Sequence, residues 1–485
     1  MFGNFQPTGI EYLRFLPEIL LSIFGIVIMM LEAVAKGKRT YMGVIALIGI
    51  AAAFAANVWG YLNSGPAFQN MILIDGYGAF FRALVLVVGF LCILTAFSYL
   101  ERENAQTGEY YALILFSMVG QCILSTSTDL IMVFIGLEIS SIATYILAGF
   151  LRDDRRNNES ALKYFLLGSF ATAFLLYGIA WIYGLTGTTN LDEIRRALTQ
   201  GNQPIVVIGL SAALLFVGFA FKVSIAPFQV WAPDVYQGAA APVTAFMSAG
   251  PKAAAFAIFF RVFLTSFRPF SDRWLPLVWG CAIATMIIGN FAALLQNNVK
   301  RLLGYSSIAH AGYVMIAFAA ASQIGTAAAM FYLASYALMN IGAFAVISHI
   351  AARNERHVRL EDLSGLARRE PVMSALLAIF VFSLIGVPLT GGFFGKFYVF
   401  QAALNSHLVW LTVIGLINSA IAAYYYLRIL VAVYMQESSA PVEALPAPAP
   451  SLRVAIWASA IGVLFLGIFP SAVLSFASFS AAAFR

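Results

Sequence analysis

The chain has 485 residues, 61% hydrophobic and only 10% charged, with a mean hydropathy of +0.86. Soluble domains carry about 25% charged residues, so the composition excludes a soluble enzyme or binding module and defines a polytopic membrane protein. The net charge of +6 does not imply nucleic acid, because the basic residues fall in short loops between apolar stretches. Cys92, Cys122 and Cys281 are isolated in apolar segments, without metal or disulfide spacing. No haem, flavin, iron–sulfur or nucleotide motif is visible, so no cofactor is expected in this chain. The N-terminal segment carries an acid and lacks a basic n-region, which predicts that the first span is retained.

About 20 apolar residues cross a bilayer as a helix. Such runs are centred near residues 25, 51, 89, 118, 139, 173, 216, 254, 285, 312, 339, 388, 420 and 464. They predict an all-α polytopic membrane protein of about fourteen transmembrane helices. The runs are continuous rather than alternating, which excludes long strands. Loops after odd-numbered spans hold Lys36, Lys38, Arg39, Arg102, Arg152, Arg155, Arg156, Lys300, Arg301, Arg353, Arg356, Arg359, Arg368 and Arg369. Loops after even-numbered spans, with the two tails, hold Arg14, Arg195, Arg196, Arg268, Arg273 and Arg485. This bias predicts that the odd-numbered loops are cytoplasmic and both termini periplasmic. The longest polar connections are 186–203, 353–371 and 436–451. The last is rich in Ala and Pro and reads as a stiff linker. In 353–371, Leu360, Leu363 and Leu366 among charges leave two readings open, a short surface helix or a solvated loop.

The segment 221–261 is the most informative. Lys222 and Lys252 lie deep within apolar stretches, and Pro227 interrupts the first of them. A cation at membrane depth costs ~2.5–3.5 kcal/mol, so it is retained where it has a partner or a task. Proline breaks the helix, and a break survives in lipid only where it lines protein or water. The twelfth span repeats the theme: Pro388 is followed by Gly391, Gly392, Gly395 and Lys396. The lysine precedes the break in the seventh span and follows it in the twelfth. Five spans separate the two, which reverses their direction across the membrane. This pattern predicts an inverted duplication of spans 4–8 and 9–13. The expected divisions are 1–108 (three N-terminal spans), 109–266 and 267–435 (the repeats), and 436–485 (linker and last span).

Glu138 lies mid-span and reads either as a structural ion-pair partner or as a carboxylate that sets the proton affinity of a nearby lysine. Lys222 and Lys252 are too central to snorkel and are candidate proton carriers; Lys396 joins them if Pro388 marks mid-helix. Lys163, near the start of the sixth span, reads equally as snorkelling or relay. His310 reads as a relay or a hydrogen-bonded packing histidine. Arg261 and Arg428 read as interfacial anchors or exit-path residues, and Asp234, after Pro233, as a cap or turn.

The run KVSIAPFQVWAPDVYQGAAAPVTAFMSAGPKAAAF (222–256) closely resembles the signature of the antiporter-like subunits of respiratory complex I. The same holds for Glu138 in FIGLEISSIATYIL, the segment KRLLGYSSIAH (300–310), EDLSGL (361–366) and GVPLTGGFFGKFYVF (386–400). The chain stops soon after its fourteenth span, without the lateral helix of the largest sister subunit, and Lys396 stands where some sisters carry glutamate. By this resemblance Glu138, Lys163, Lys222, Lys252, His310 and Lys396 match the family's proton path. Gln229 departs from it, standing where many members have a histidine, and glutamine cannot relay a proton near neutral pH.

The resemblance implies a proton-translocating membrane subunit of an NADH:quinone oxidoreductase in the bacterial inner membrane. NADH, FMN, iron–sulfur clusters and quinone would then belong to partner subunits. Its partners would be neighbouring antiporter-like and small membrane subunits and lipids, not nucleic acid. The alternative is a subunit of a multi-subunit sodium/proton antiporter, which shares fold and motifs. A purely structural scaffold is disfavoured by the density of buried charge.

Overall fold

The computed structural model describes residues 7–34, 39–201, 203–437 and 447–484. Lys36, Lys38, Arg485 and most of the 436–451 linker lie outside the described residues. Thirteen described helices are long and apolar enough to cross a membrane. The fourteenth crossing, span 12, is made of two halves of 15 residues each, Pro371–Ile385 and Gly391–Asn405. Span 7 is likewise divided, into Ile205–Val223 and Trp231–Gly238.

Short polar loops punctuate the apolar runs, and the first polar residue often caps the next helix. Asp75, Asp129, Asp154, Asn298 and Ser322 each accept a hydrogen bond from a first-turn amide of the helix that follows. The loops fall into two groups on opposite sides. On one side a small hairpin, Gly65–Ala67 with Ile72–Ile74, pairs onward through Ile72 to Ser127, and Asp129 pairs with Asn190. These are all loops after even-numbered spans. On the other side Asn298 pairs with Arg359, Arg156 donates to the Asn354 carbonyl and the Asn354 amide to Glu103. These are loops after odd-numbered spans, here called the basic side. Neither the hairpin nor the helix Leu191–Gln200 was foreseen from hydropathy, which does not register three-residue strands.

The segment 353–371 does not form a surface helix. It folds as short turns at Arg353–Glu355 and Leu360–Leu363 and a four-residue helix, Leu366–Arg369. Leu360, Leu363 and Leu366 are buried, against span 13 and the start of span 12. The gain from burying three leucines outweighs a solvated loop.

The duplication is visible in the packing. Span 4 lies on span 5 as span 9 lies on span 10; span 6 lies on span 7 as span 11 lies on span 12; span 8 meets span 7 as span 13 meets span 12. Both breaks begin with a left-handed residue that ends the first half: Ser224 (φ 62°, ψ 48°) and Gly386 (φ 94°, ψ 44°). A proline follows within a few residues in each case. The most enclosed helices are spans 8, 10 and 11, so span 8, with Lys252, runs through the centre.

Away from the breaks, Glu18 of span 1 and Arg82 of span 3 form an ion pair of 2.6 Å with side chains 1% and 0% exposed. Removing one partner strands a buried charge. Arg82→Leu is expected to cost about 3–5 kcal/mol, and Glu18→Leu with Arg82→Met to recover most of it. Thermal unfolding in detergent checks this; equal loss in the single and double variants would remove the pair as the cause.

Candidate functional site

Lys222 sits in the last turn of the first half of span 7 and is buried. Its Nζ donates to Ser141 Oγ (2.8 Å) and the Tyr164 hydroxyl (3.1 Å). The rings of Tyr145 and Tyr164 lie 5.7 and 5.3 Å from the ammonium, within the range of cation–π attraction. Tyr164 is stacked on Trp231, with centroids 4.4 Å apart and planes 8° from parallel. Glu138, Ser141 and Tyr145 share one face of span 5 at helical spacing. Glu138 lies one turn from Ser141, the residue that accepts from Lys222, and forms no ion pair with the lysine. Glu138 Oε1 is buried without a hydrogen-bond partner.

Lys252, halfway along span 8, donates to the Ser307 carbonyl (3.0 Å) and to Ser307 Oγ. The adjacent Ser306 bonds the Tyr426 hydroxyl. That hydroxyl meets His310 Nε2 at 3.0 Å, while His310 Nδ1 meets the Tyr332 hydroxyl at 2.6 Å. Lys396, in the second half of span 12, donates to the Leu384 and Ile385 carbonyls (3.1 and 2.8 Å) and to Ser419 Oγ (2.9 Å). Those carbonyls end the first half of span 12, where no next turn is present to claim them. Tyr313 places its ring 5.1 Å from the Lys396 ammonium and meets the His310 ring edge-on at 5.8 Å. Lys252, His310 and Lys396 thus share neighbours on spans 10 and 13, while Lys222 has its own partners on spans 5 and 6. Between them they are held by hydroxyls, carbonyls and aromatic faces, and none by a carboxylate. Tyr164, Tyr332, Tyr426 and Ser307 supply several of these contacts. Sequence reasoning passed over them because a tyrosine or serine in an apolar span carries no distinguishing pattern.

Lys163 stands apart. It pairs with Glu159 and Asp234, each at 2.6 Å, and is 39% exposed at the basic side. Asp234 is not a cap or turn: it lies within the second half of span 7 and also takes Arg301 at 2.6 Å. Arg261 is 4% exposed and held by both oxygens of Asp75 at 2.9 and 3.0 Å. Arg428 donates to the Leu294 carbonyl (2.7 Å) and to Asn297 (2.9 Å). Gln229 is buried in the break of span 7, its Oε1 unpartnered. Among the described residues no group of three His, Cys, Asp or Glu comes together as a metal site.

Inverted five-helix repeats, with a broken span and a buried lysine in each, define an antiporter-type membrane subunit. Residues 127–422 match the family model described as NADH:quinone oxidoreductase/Mrp antiporter, TM. The chain is 58% identical to NADH-quinone oxidoreductase subunit N 1 of Solibacter usitatus, covering 99% of this chain and 98% of that one. It is 43% identical to subunit N of Trichlorobacter lovleyi over 98% of this chain and 97% of the relative. A chain in the structure of respiratory complex I from Thermus thermophilus with bound aureothin superposes with a TM-score of 0.81 at 33% identity, covering 95% and 99% of the two chains. A chain of the Mrp complex from Dietzia sp. has the same fold, with a TM-score of 0.84 at 22% identity over 97% of each chain. The chain belongs to the family of NADH-quinone oxidoreductase subunit N, as the segment 222–256 had suggested.

Proposed function

We propose that the chain is a proton-translocating membrane-arm subunit of an NADH:quinone oxidoreductase, and that Glu138, Lys163, Lys222, Lys252, His310 and Lys396 carry or control its proton path. Electron transfer, with NADH, FMN, iron–sulfur clusters and quinone, falls to partner subunits. The protein lies in the bacterial inner membrane with both termini periplasmic and the basic side cytoplasmic. The divisions 1–108, 109–266, 267–435 and 436–485 then become three supporting spans, two half-channels, and a linker with its closing span. The observation that carries this reading is that Lys222, Lys252 and Lys396 are all buried and all have neutral partners. A lysine bound to hydroxyls can hold or release a proton and keep its hydrogen bonds, because a hydroxyl donates as well as accepts. The 58% identity to a subunit N favours this reading over the antiporter alternative, whose solved relative shares the fold at 22%. Co-purification of flavin and iron–sulfur subunits from native membranes separates the two.

Lys222→Ala is expected to leave assembly intact and reduce NADH-driven proton pumping in vesicles to about 1% or less, since a positioned proton-transfer group contributes about 10²–10⁴-fold. Lys222→Arg should rescue poorly, because arginine stays protonated. Normal pumping from the alanine variant would end the proposal.

Glu138 acts on Lys222 through the span-5 face it shares with Ser141. Glu138→Gln should therefore impair turnover more than Glu138→Asp, which keeps an ionisable group. Equal activity of the two would reduce Glu138 to packing.

Tyr426 joins Ser306 to His310. Tyr426→Phe deletes only the hydroxyl, at about 1 kcal/mol per lost hydrogen bond, and should slow pumping severalfold with unchanged assembly. Wild-type pumping would place Tyr426 outside the path.

A further inference from the structure

The second half of span 7 is a short helix between a non-helical break, 224–230, and the two-residue link Ala239–Ala240. Trp231 Nε1 ties it to the Phe221 carbonyl and Lys300 holds the Ala239 carbonyl at its end, and further side chains from two other helices fix its position. From span 6, Lys163 pairs with Asp234, Ser160 donates to the Asp234 carbonyl (3.3 Å) and Asn157 to the Gly238 carbonyl (3.0 Å). From span 10, Arg301 pairs with Asp234 and donates to Gln237 at 2.9 Å. One carboxylate thereby ties the first repeat to the second. These groups line a cavity of about 200 Å³ that opens on the basic side, with Glu159, Lys163, Asp234 and Arg301 on its wall.

One turn along the same half-helix, toward the break, stands Trp231. It lies flat on Tyr164, the residue after Lys163, and the Tyr164 hydroxyl bonds Lys222. Trp231 and Tyr164 are 2% and 1% exposed. Neither ring lines the cavity, and the pair links the half-helix that carries Asp234 to Lys222. Its register depends on where the half-helix sits.

We propose that Asp234 is a positioning residue whose clamp on Lys163 and Arg301 keeps the Trp231–Tyr164 pair closed over Lys222. Release of the clamp frees the half-helix and admits water from the basic side. This rests on the proton-path reading only in naming Lys222 as the group being shielded.

The test reads access, not pumping. Ser141, which is buried and bonds Lys222, is replaced by cysteine in the intact complex after Cys92, Cys122 and Cys281 are replaced by alanine. Labelling by a small charged methanethiosulfonate is followed from the basic side of oriented vesicles without turnover. Slow labelling is expected in Ser141→Cys alone. Adding Asp234→Asn should speed it by about tenfold, as the loss of two partly exposed ion pairs supports, while Asp234→Glu should stay near the slow rate. Lys163→Gln and Arg301→Gln should each give intermediate rates and serve as well if Asp234→Asn does not assemble. Rapid labelling of the parent, or rates unaffected by all of these changes, would overturn the clamp. Failure of Lys222→Ala to affect pumping would instead strike the proton-path reading and leave these rates unchanged.

Discussion

A buried ammonium must be solvated by protein, and the kind of solvation chosen decides what the cation can do. Two classes are present. Arg82, Arg261 and Lys300 are each paired with a carboxylate: Glu18, Asp75 and Glu355. A full counter-charge at such distances binds the cation to one partner, because the attraction is large in a low-dielectric interior. Those cations hold helices and loops together. Lys300 and Glu355, with Tyr99 and the Ala241 amide on the same carboxylate, join span 10, the 353–371 segment, span 3 and the start of span 8. Lys222, Lys252 and Lys396 belong to the second class, held by neutral dipoles. Neutral dipoles bind a cation less strongly than a full counter-charge does.

The broken helices follow from the same constraint. An unbroken helix spends its carbonyls on itself, leaving side-chain oxygens to solvate a lysine. Ending the first half of span 12 at Gly386 frees the Leu384 and Ile385 carbonyls, and both turn to Lys396. In span 7 the freed groups are used to hold the break: Trp231 Nε1 donates to the Phe221 carbonyl at 2.9 Å and the Ala226 amide donates to Thr285 at 2.9 Å. Lys222 is then left to side chains from spans 5 and 6. The two repeats share the device but spend the liberated backbone differently.

What the sequence made legible follows from range. Spans and breaks are local: twenty apolar residues, or a proline beside a lysine, are read in one window. The lysines' partners are not local. Ser141 and Tyr164 reach Lys222 across 81 and 58 residues. Tyr426 reaches His310 across 116. No pattern in one sequence connects such positions. Asp234 was misjudged for the same reason. Beside Pro233 it has the local signature of a turn, and only the fold brings Lys163 and Arg301 to it. Leu360, Leu363 and Leu366 were misjudged because helical spacing among charges does not say whether the apolar face meets lipid or span 13.

The repeats are not symmetric in their control. Tyr145 lies under Lys222 in the first repeat and Tyr313 under Lys396 in the second, at 5.7 and 5.1 Å. Two helical turns before each tyrosine, on the same face, stand Glu138 and Ser306 respectively. The carboxylate of one repeat is a hydroxyl in the other, and that hydroxyl is engaged with Tyr426. On the proposed path, a charge arriving near Glu138 biases Lys222 directly and reaches Lys396 only through Lys252, the serine–tyrosine link and His310. A path biased equally at both ends would have no preferred direction. On the proposed path Glu138, with no carboxylate at the matching place in the second repeat, would supply the asymmetry that directed transfer needs.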